Sequence, residues 1–303
     1  MDLPALLSRL DARAHAAADW GKVATYIPEL ARVDPAQFAI SVVLADGTMH
    51  SAGQSQTRFS IQSVSKVFTL ACVLSRIGES LWHRVGREPS GDRFDSMLLL
   101  EQEQGRPRNP FINAGALVTT DELLAGRAPK EALSEILAFI RAAAEDGDIH
   151  IDAEVAHSEA TTGFRNVALA NYLKSYDNLK NMPELVLGTY FHQCAIEMTT
   201  EQLAGAGRGI AGLPGAPLLL SPVKRRRIAA LMMTCGHYDG SGDFAFRTGL
   251  PGKSGVGGGI LVAVPGVASI AVWSPGLNAW GNSKVGTEAI EALAHETGWS
   301  VFG

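Results

Sequence analysis

Only three of the 303 residues are cysteine, and Cys72, Cys194 and Cys235 stand far apart in apolar surroundings. An odd, dispersed set excludes a disulfide frame and a Cys-x-x-Cys metal or redox motif, and reads as reduced core thiols of a cytoplasmic protein. Charge of one sign is also scarce. Against 26 basic residues stand 31 acidic ones, a net charge of −5, and no basic stripe with interleaved aromatics tracks a phosphate backbone, so nucleic acid is not an expected partner. No apolar run approaches the length of a bilayer span, so neither is a membrane. The first ten residues carry Asp2, Ser8 and Arg9, unlike a secretory leader. None of the eight histidines sits in a His-Glu-x-x-His spacing, and no serine sits in a Gly-x-Ser-x-Gly elbow, which leaves a zinc enzyme or a Ser-His-Asp hydrolase without support. There is no internal repeat and no low-complexity segment. What is present is a chain 46% hydrophobic, long enough for one large domain or two intimately packed ones.

A helix opens the chain, and Phe38-Ala-Ile-Ser-Val-Val-Leu-Ala45 follows as a strand ending in Asp46-Gly47, a hairpin signal. After Ser63, the apolar residues Val67, Leu70, Ala71, Leu74 and Ile77 recur every three or four positions, and Gly78 stands where a helix C-cap belongs. Residues 80 to 235 are mostly helical in pattern. The clearer pieces are Asp121 to Leu124, Ala128 to Glu145, Asn166 to Tyr176 and Pro183 to Thr199. Strand patterns return at Phe244 to Leu250, Gly259 to Val264 and Val267 to Ser274, the last two joined by Pro265-Gly266, before a final helix over Ser283 to Glu296. Neither terminal set of strands makes a good sheet alone. The arrangement predicts one domain over 1–303, with an α/β layer from about 1–79 and 236–303 and a helical subdomain of about 80–235.

Two glycine-rich stretches invite a nucleotide reading and fail on context. Gly207-Arg-Gly209-Ile-Ala-Gly212 has dinucleotide-binding spacing, but Leu213-Pro-Gly-Ala-Pro217 follows it, so it reads as a loop with no helix N-terminus to offer a phosphate. Gly252-Lys253-Ser254 resembles the end of a phosphate-binding loop, yet Arg247 occupies the position of that motif's first glycine. Ser63 and Lys66 make a more productive pair. Three positions apart on one helix face, the lysine amine comes near the serine hydroxyl, and a buried, neutral lysine can take its proton. A lone Ser-x-x-Lys on a helix is ordinarily no more than a solvated face. Here it precedes Lys253-Ser254-Gly255, similar to the Lys-Thr-Gly strand triplet that lines the site opposite the serine in penicillin-binding proteins and serine β-lactamases.

Further stretches narrow the class. Asn109-Pro-Phe-Ile-Asn-Ala-Gly-Ala116, Ser158-Glu-Ala-Thr-Thr-Gly-Phe-Arg-Asn166 and Cys235-Gly-His-Tyr-Asp-Gly-Ser-Gly242 closely resemble the bacterial and animal glutaminases. With Tyr26-Ile-Pro-Glu-Leu30, Gln62-Ser63-Val-Ser-Lys66, Lys253-Ser-Gly-Val-Gly-Gly-Gly259 and Gly281-Asn-Ser283, the likeness spans almost the whole chain. Gly252 stands where the family would have alanine and Ala195 where serine is common, and neither falls on a position assigned to chemistry.

The resemblance implies a serine β-lactamase-like α/β (α+β) fold, an antiparallel sheet flanked by helices plus a helical subdomain. It implies hydrolysis of L-glutamine to glutamate and ammonia, with Ser63 as nucleophile, Lys66 as base, the backbone N–H groups of Ser63 and Val256 as oxyanion donors, and Tyr238 as proton donor to the leaving ammonia. Glu159 would anchor the substrate ammonium, and Asn113, Asn166, Tyr190, Tyr26 and Gln62 would supply neutral hydrogen bonds. Read without that context, Glu159 is a solvated charge, Asn166 a helix-start residue and Tyr190 a packing aromatic. No metal or cofactor is expected, and a homo-oligomer, dimer or tetramer, is expected by analogy. A β-lactamase or peptidase of the same Ser-x-x-Lys class, and a non-catalytic scaffold of the same fold, are the alternatives.

Overall fold

The computed structural model describes residues 2–91 and 93–303. Eight strands occur in chain order: β1 (Ala39–Leu44), β2 (Met49–Gly53), β3 (Phe59–Ser60), β4 (His150–Ile151), β5 (Ile196–Met198), β6 (Gly252–Ser254), β7 (Gly259–Val264) and β8 (Ala268–Trp273). Five form an antiparallel sheet in the order β2-β1-β8-β7-β6, so the two ends of the chain interleave at the β1–β8 seam, where Ala39 pairs with Trp273 and Leu44 with Ala268. The Asp46-Gly47 turn closes β1 on β2 as its residues predict, with Gly47 at a φ of 87°. A smaller sheet, β3-β5-β4, lies beside the serine segment.

Both faces of the large sheet are covered. The period of two sends Ile40, Val42, Ile260, Val262, Ile270 and Val272 to one face, against Leu3, Leu6, Leu7 and Leu10 of the helix Leu3–His15 and Ile290 and Leu293 of the helix Lys284–Thr297. Ala39, Val43, Leu261, Ala263 and Ala271 face the other way, into a core shared with the helices Ser65–Ile77, Asn113–Leu124, Pro129–Ala144 and Thr200–Ala211. Because water reaches neither face, these strands read as unbroken apolar runs. Ser41, buried on the second face, bonds Thr200 Oγ1 at 2.8 Å and so keeps its hydroxyl satisfied.

Three sequence expectations are corrected. Gly207 to Ala211 is the last part of the helix Thr200–Ala211, not a loop. Its glycine has a packing reason: a Cβ at Gly207 would sit 2.3 Å from Ser269 Oγ and 2.6 Å from Leu261 Cδ1, so only glycine lets this helix lie so close to the sheet. Phe244 to Thr248 belongs to the helix Ser241–Thr248, with Gly249 as its left-handed C-cap, and no strand forms there. There Phe244 and Thr248, four apart, face inward while Phe246 is 92% exposed, so the apparent alternation was one turn of a helix seen without its partner. The helix beginning at Pro183 ends at Cys194 instead of Thr199, because Ile196 to Met198 peels away as β5 to pair with β3 and β4.

Candidate active site

Ser63 sits in a 3₁₀ turn, Gln62–Val64, that feeds directly into the helix Ser65–Ile77. The residue before it, Gln62, has a φ of 48°, and Tyr238 has a φ of 55°. Left-handed backbone at two bulky residues is costly and persists only where surrounding bonds dictate it. For Gln62 those bonds are visible: its Nε2 donates to Ser60 Oγ at 2.9 Å and to Glu159 Oε1 at 2.8 Å. For Tyr238 they are the Asn282 Nδ2 bond to the His237 carbonyl at 3.1 Å and the Ser241 Oγ bonds to His237 N–H and the Tyr238 carbonyl.

The loop after β6 brings a second backbone against the serine turn. A Cβ on Gly255 would lie 2.6 Å from the Ile61 carbonyl oxygen and 3.2 Å from Ser63 N, so the absence of a side chain is what permits the approach. Among the described residues, neither the Ser63 N–H nor the Val256 N–H donates to a protein acceptor. Two adjacent backbone donors are therefore available to an oxygen placed between them.

Lys66 is 2% exposed, and burial lowers its pKa to about 8. Its Nζ donates to Phe111 O at 3.2 Å and to Asn113 Oδ1 at 2.7 Å. Asn113 Oδ1 also accepts from Tyr190 Oη at 3.3 Å, and its Nδ2 donates to Asn166 Oδ1 at 2.9 Å, so one amide ties the lysine to two residues of the cavity wall. Glu159, 6% exposed, has Gln62 as its hydrogen-bond partner, and burial raises its carboxyl pKa to about 8. The bland reading of a solvated charge does not apply to it.

Tyr238 Oη donates to Ser254 O at 3.3 Å, and burial holds the phenol well above its ordinary pKa, so it stays protonated. Lys253, fully buried on the edge strand β6, donates to Gly236 O at 3.1 Å and to Ser254 O, and its Nζ stands 4.7 Å from the Tyr238 ring centre. Ser254 N–H in turn donates to Gly236 O at 3.0 Å.

These groups converge. A cavity of about 430 Å³ is lined by Tyr26, Gln62, Ser63, Asn113, Glu159, Asn166, Tyr190 and Val256, and Lys66 bonds one of these residues, Asn113. Tyr238 does not line it but stands in an adjoining trough of about 600 Å³ that shares Tyr26 and Val256 with it. Tyr26, 55% exposed, stands at the join. Sequence reasoning missed Phe94, which lies 4.7 Å from the Tyr238 ring and whose carbonyl accepts from Asn113 N–H at 2.9 Å. It also missed Asp95, which pairs with Arg93 at 3.2 Å and with Arg165 at 3.5 Å over the cavity mouth. Arg165 lies inside the Ser158 to Asn166 motif and could have been found there, whereas Phe94 carries no chemical signature. Cys194, read from sequence as a core thiol, is buried as expected and also forms part of the cavity wall.

The sheet, the helices around it and the serine turn against an edge strand define a protein of serine β-lactamase-like architecture. The glutaminase family model matches residues 21–302, and the chain belongs to the glutaminase family, amidohydrolases that convert L-glutamine to L-glutamate. It is 56% identical to a glutaminase of Rhizobium rhizogenes over 306 residues, covering 100% of this chain and 99% of that one. Among solved structures, it is similar to a probable glutaminase, ybaS, with 37% identity, 98% of each chain covered and a TM-score of 0.92. A probable glutaminase from Bacillus subtilis, complexed with 6-diazo-5-oxo-L-norleucine, is 32% identical, with 100% of this chain and 98% of that one covered and a TM-score of 0.90.

Proposed function

We propose that the chain hydrolyses L-glutamine through a glutamyl ester on Ser63, with Lys66 as the base. The observation that carries this reading is the hydrogen bonding of Lys66. A neutral amine has two N–H groups, and Phe111 O and Asn113 Oδ1 accept both, which leaves the lone pair uncommitted and available to act as a base. As the serine oxygen attacks the side-chain amide carbon, the carbonyl oxygen takes up negative charge facing the N–H groups of Ser63 and Val256. The C–N bond then breaks, and the departing nitrogen takes a proton delivered by Tyr238. The proton that Lys66 took from Ser63 passes to the phenolate left on Tyr238 and ammonia leaves; water then attacks the ester and gives its proton to the neutral Lys66, and that proton returns to Ser63 Oγ as the ester bond breaks and glutamate is released. No step calls on a metal or organic cofactor.

Glu159 is the anchor for the substrate ammonium in this reading, with Asn113, Asn166, Tyr190, Tyr26 and Gln62 around the amino-acid head. The family relation supports the same picture, together with a homo-oligomer, dimer or tetramer, working in the cytoplasm. The test is ammonia release from the purified protein offered glutamine, asparagine and a chromogenic β-lactam in parallel. Asparagine is one methylene shorter, so with its head group on Glu159 its carbonyl falls short of Ser63. Lost packing alone costs roughly 1–3 kcal/mol, or about 10- to 200-fold in kcat/KM, and misplacement of the reacting carbon adds to that. Equal turnover of the two amides contradicts the anchor, and turnover of the β-lactam alone contradicts the substrate.

The pH profile follows from two groups. Lys66 must lose its proton to serve as base, and Glu159 must lose its own to hold an ammonium, and in the empty cavity both titrate at about 8. Loss of either proton favours activity, so kcat/KM should climb as pH rises through about 8. A profile that is flat or falling between about pH 6 and 9 would contradict both assignments.

A further inference from the structure

Three of the four residues that join β6 to β7, Gly255, Gly257 and Gly258, are glycine. A backbone so rich in glycine has wide conformational freedom and does not by itself hold a donor in one place. Yet Val256, the fourth residue, carries one of the two N–H groups that face the carbonyl oxygen in the reading above. The base of the turn is closed by backbone bonds, from Gly255 N–H to Gly259 O at 2.9 Å and from Gly258 N–H to Gly255 O at 3.0 Å. The tip is held differently. Among the described residues, the Gly257 carbonyl accepts from a single donor, the indole Nε1–H of Trp273, at 3.0 Å.

Trp273 ends β8, is 2% exposed, and is not among the residues lining the 430 Å³ cavity. Its ring is fixed by stacking on Phe59, with centroids 5.3 Å apart and planes 10° from parallel. Phe59 lies in β3, paired with Met198 of β5, and the next residue, Ser60, has its carbonyl oxygen 2.3 Å from where a Cβ on Gly257 would stand. The tip of the turn is therefore pressed between the Ser60 backbone and the indole. Ser63 follows three residues later on the same segment. From this, and resting on the glutaminase reading above, we propose that Trp273 is a positioning residue of the reaction: its indole N–H holds Gly257 O and thereby aims the Val256 N–H, beside that of Ser63, at the oxyanion. One segment then sets both donors, that of Ser63 through the chain and that of Val256 through the indole. The negative charge they serve exists only in the tetrahedral stages before and after the ester. Loss of the indole N–H should accordingly fall on kcat and spare binding of the amino-acid head.

The experiment compares wild type with Trp273→Phe and with a protein carrying benzothienylalanine in place of Trp273, an isostere in which sulfur replaces the indole N–H. Trp273→Phe removes the donor together with part of the ring packed on Phe59, whereas the isostere removes the donor alone and decides the matter if Trp273→Phe does not fold. Glutamate titration calorimetry gives the affinity of the head-group site and counts the folded sites, so that kcat for glutamine is expressed per binding site. Deleting an oxyanion donor outright costs about 100- to 1,000-fold in kcat. A donor left in place but misaimed should cost less, about 10- to 100-fold. Both variants should show that loss, with glutamate affinity within about twofold of wild type and the same climb of kcat/KM through about pH 8, because Lys66 and Glu159 keep their partners. If the isostere keeps kcat within about twofold, or if glutamate affinity falls in step with kcat, the proposal is overturned and the glutaminase reading stands. If the wild type does not hydrolyse glutamine, that reading fails and the proposal with it.

Discussion

Ser63→Ala should abolish glutamine turnover, lowering kcat by roughly five to six orders of magnitude, while leaving a cavity that still binds glutamate. The hydroxyl removed is the proposed nucleophile, whereas Glu159, Asn113 and Asn166 keep the partners they have in the intact chain. Lys66→Ala should fail to a comparable degree, because it removes the proposed base. Combining the two should cost little more than either alone, since a nucleophile and its base act as one unit and their effects do not add. Single-turnover kinetics on the three variants would decide it. A double variant slower than each single one by the product of their separate losses would mean that serine and lysine act independently.

Glu159→Gln should produce the second-largest effect, and on a different quantity. The substitution keeps size and shape and removes the carboxylate proposed to face the ammonium, the other carboxylate in the lining, Asp95, being paired with Arg93 and Arg165. Leaving a buried charge without its counter-charge costs about 2–5 kcal/mol, roughly a 30- to several-thousand-fold loss of affinity. The loss should appear in glutamate binding to Ser63→Ala/Glu159→Gln relative to Ser63→Ala, measured by titration calorimetry. With Glu159 protonated below about pH 8 in the empty cavity, binding at neutral pH should also release a proton in the Ser63→Ala protein and none in the double variant. Comparing the heats in buffers of different ionisation enthalpy reads that proton directly. Equal affinity in the two proteins would remove Glu159 from the substrate site.

How much of this was legible beforehand depends on what kind of information each residue carries. Ser63 and Lys66 declare themselves because a helix converts a spacing of three into proximity, and the apolar rhythm from Val67 to Ile77 places the helix. The strands on either side of Pro265-Gly266 are equally plain, since a sheet covered on both faces needs an unbroken apolar run. Gly207 and Phe244 were misread for one reason: their local patterns fit two structures, and the choice between them is made by Leu261, Ser269 and His237, residues distant in sequence or in another element. The chemistry of Glu159 was visible only through its motif. Its burial, and the resulting rise of its carboxyl pKa, come from packing that no spacing encodes. Phe94 and Asp95 cover the site by shape and ion pairing from a stretch without periodicity, and nothing in their neighbours marks them.

The strand β6 has a further consequence. It ends the large sheet, and an edge strand exposes a row of unpaired N–H and C=O groups on which another chain can build, the usual route to edge-to-edge aggregation. Here the open side is occupied: Ser254 N–H donates to Gly236 O, and Ser254 O accepts from Tyr238 Oη and Lys253 Nζ. The segment that carries Tyr238 therefore serves as a cap on the sheet, and the bonds that aim the phenol also keep the edge from pairing with another molecule. On the proposed role of Tyr238, edge protection and activity share those bonds, so damage that unseats residues 236–238 should open the edge to pairing as it lowers activity.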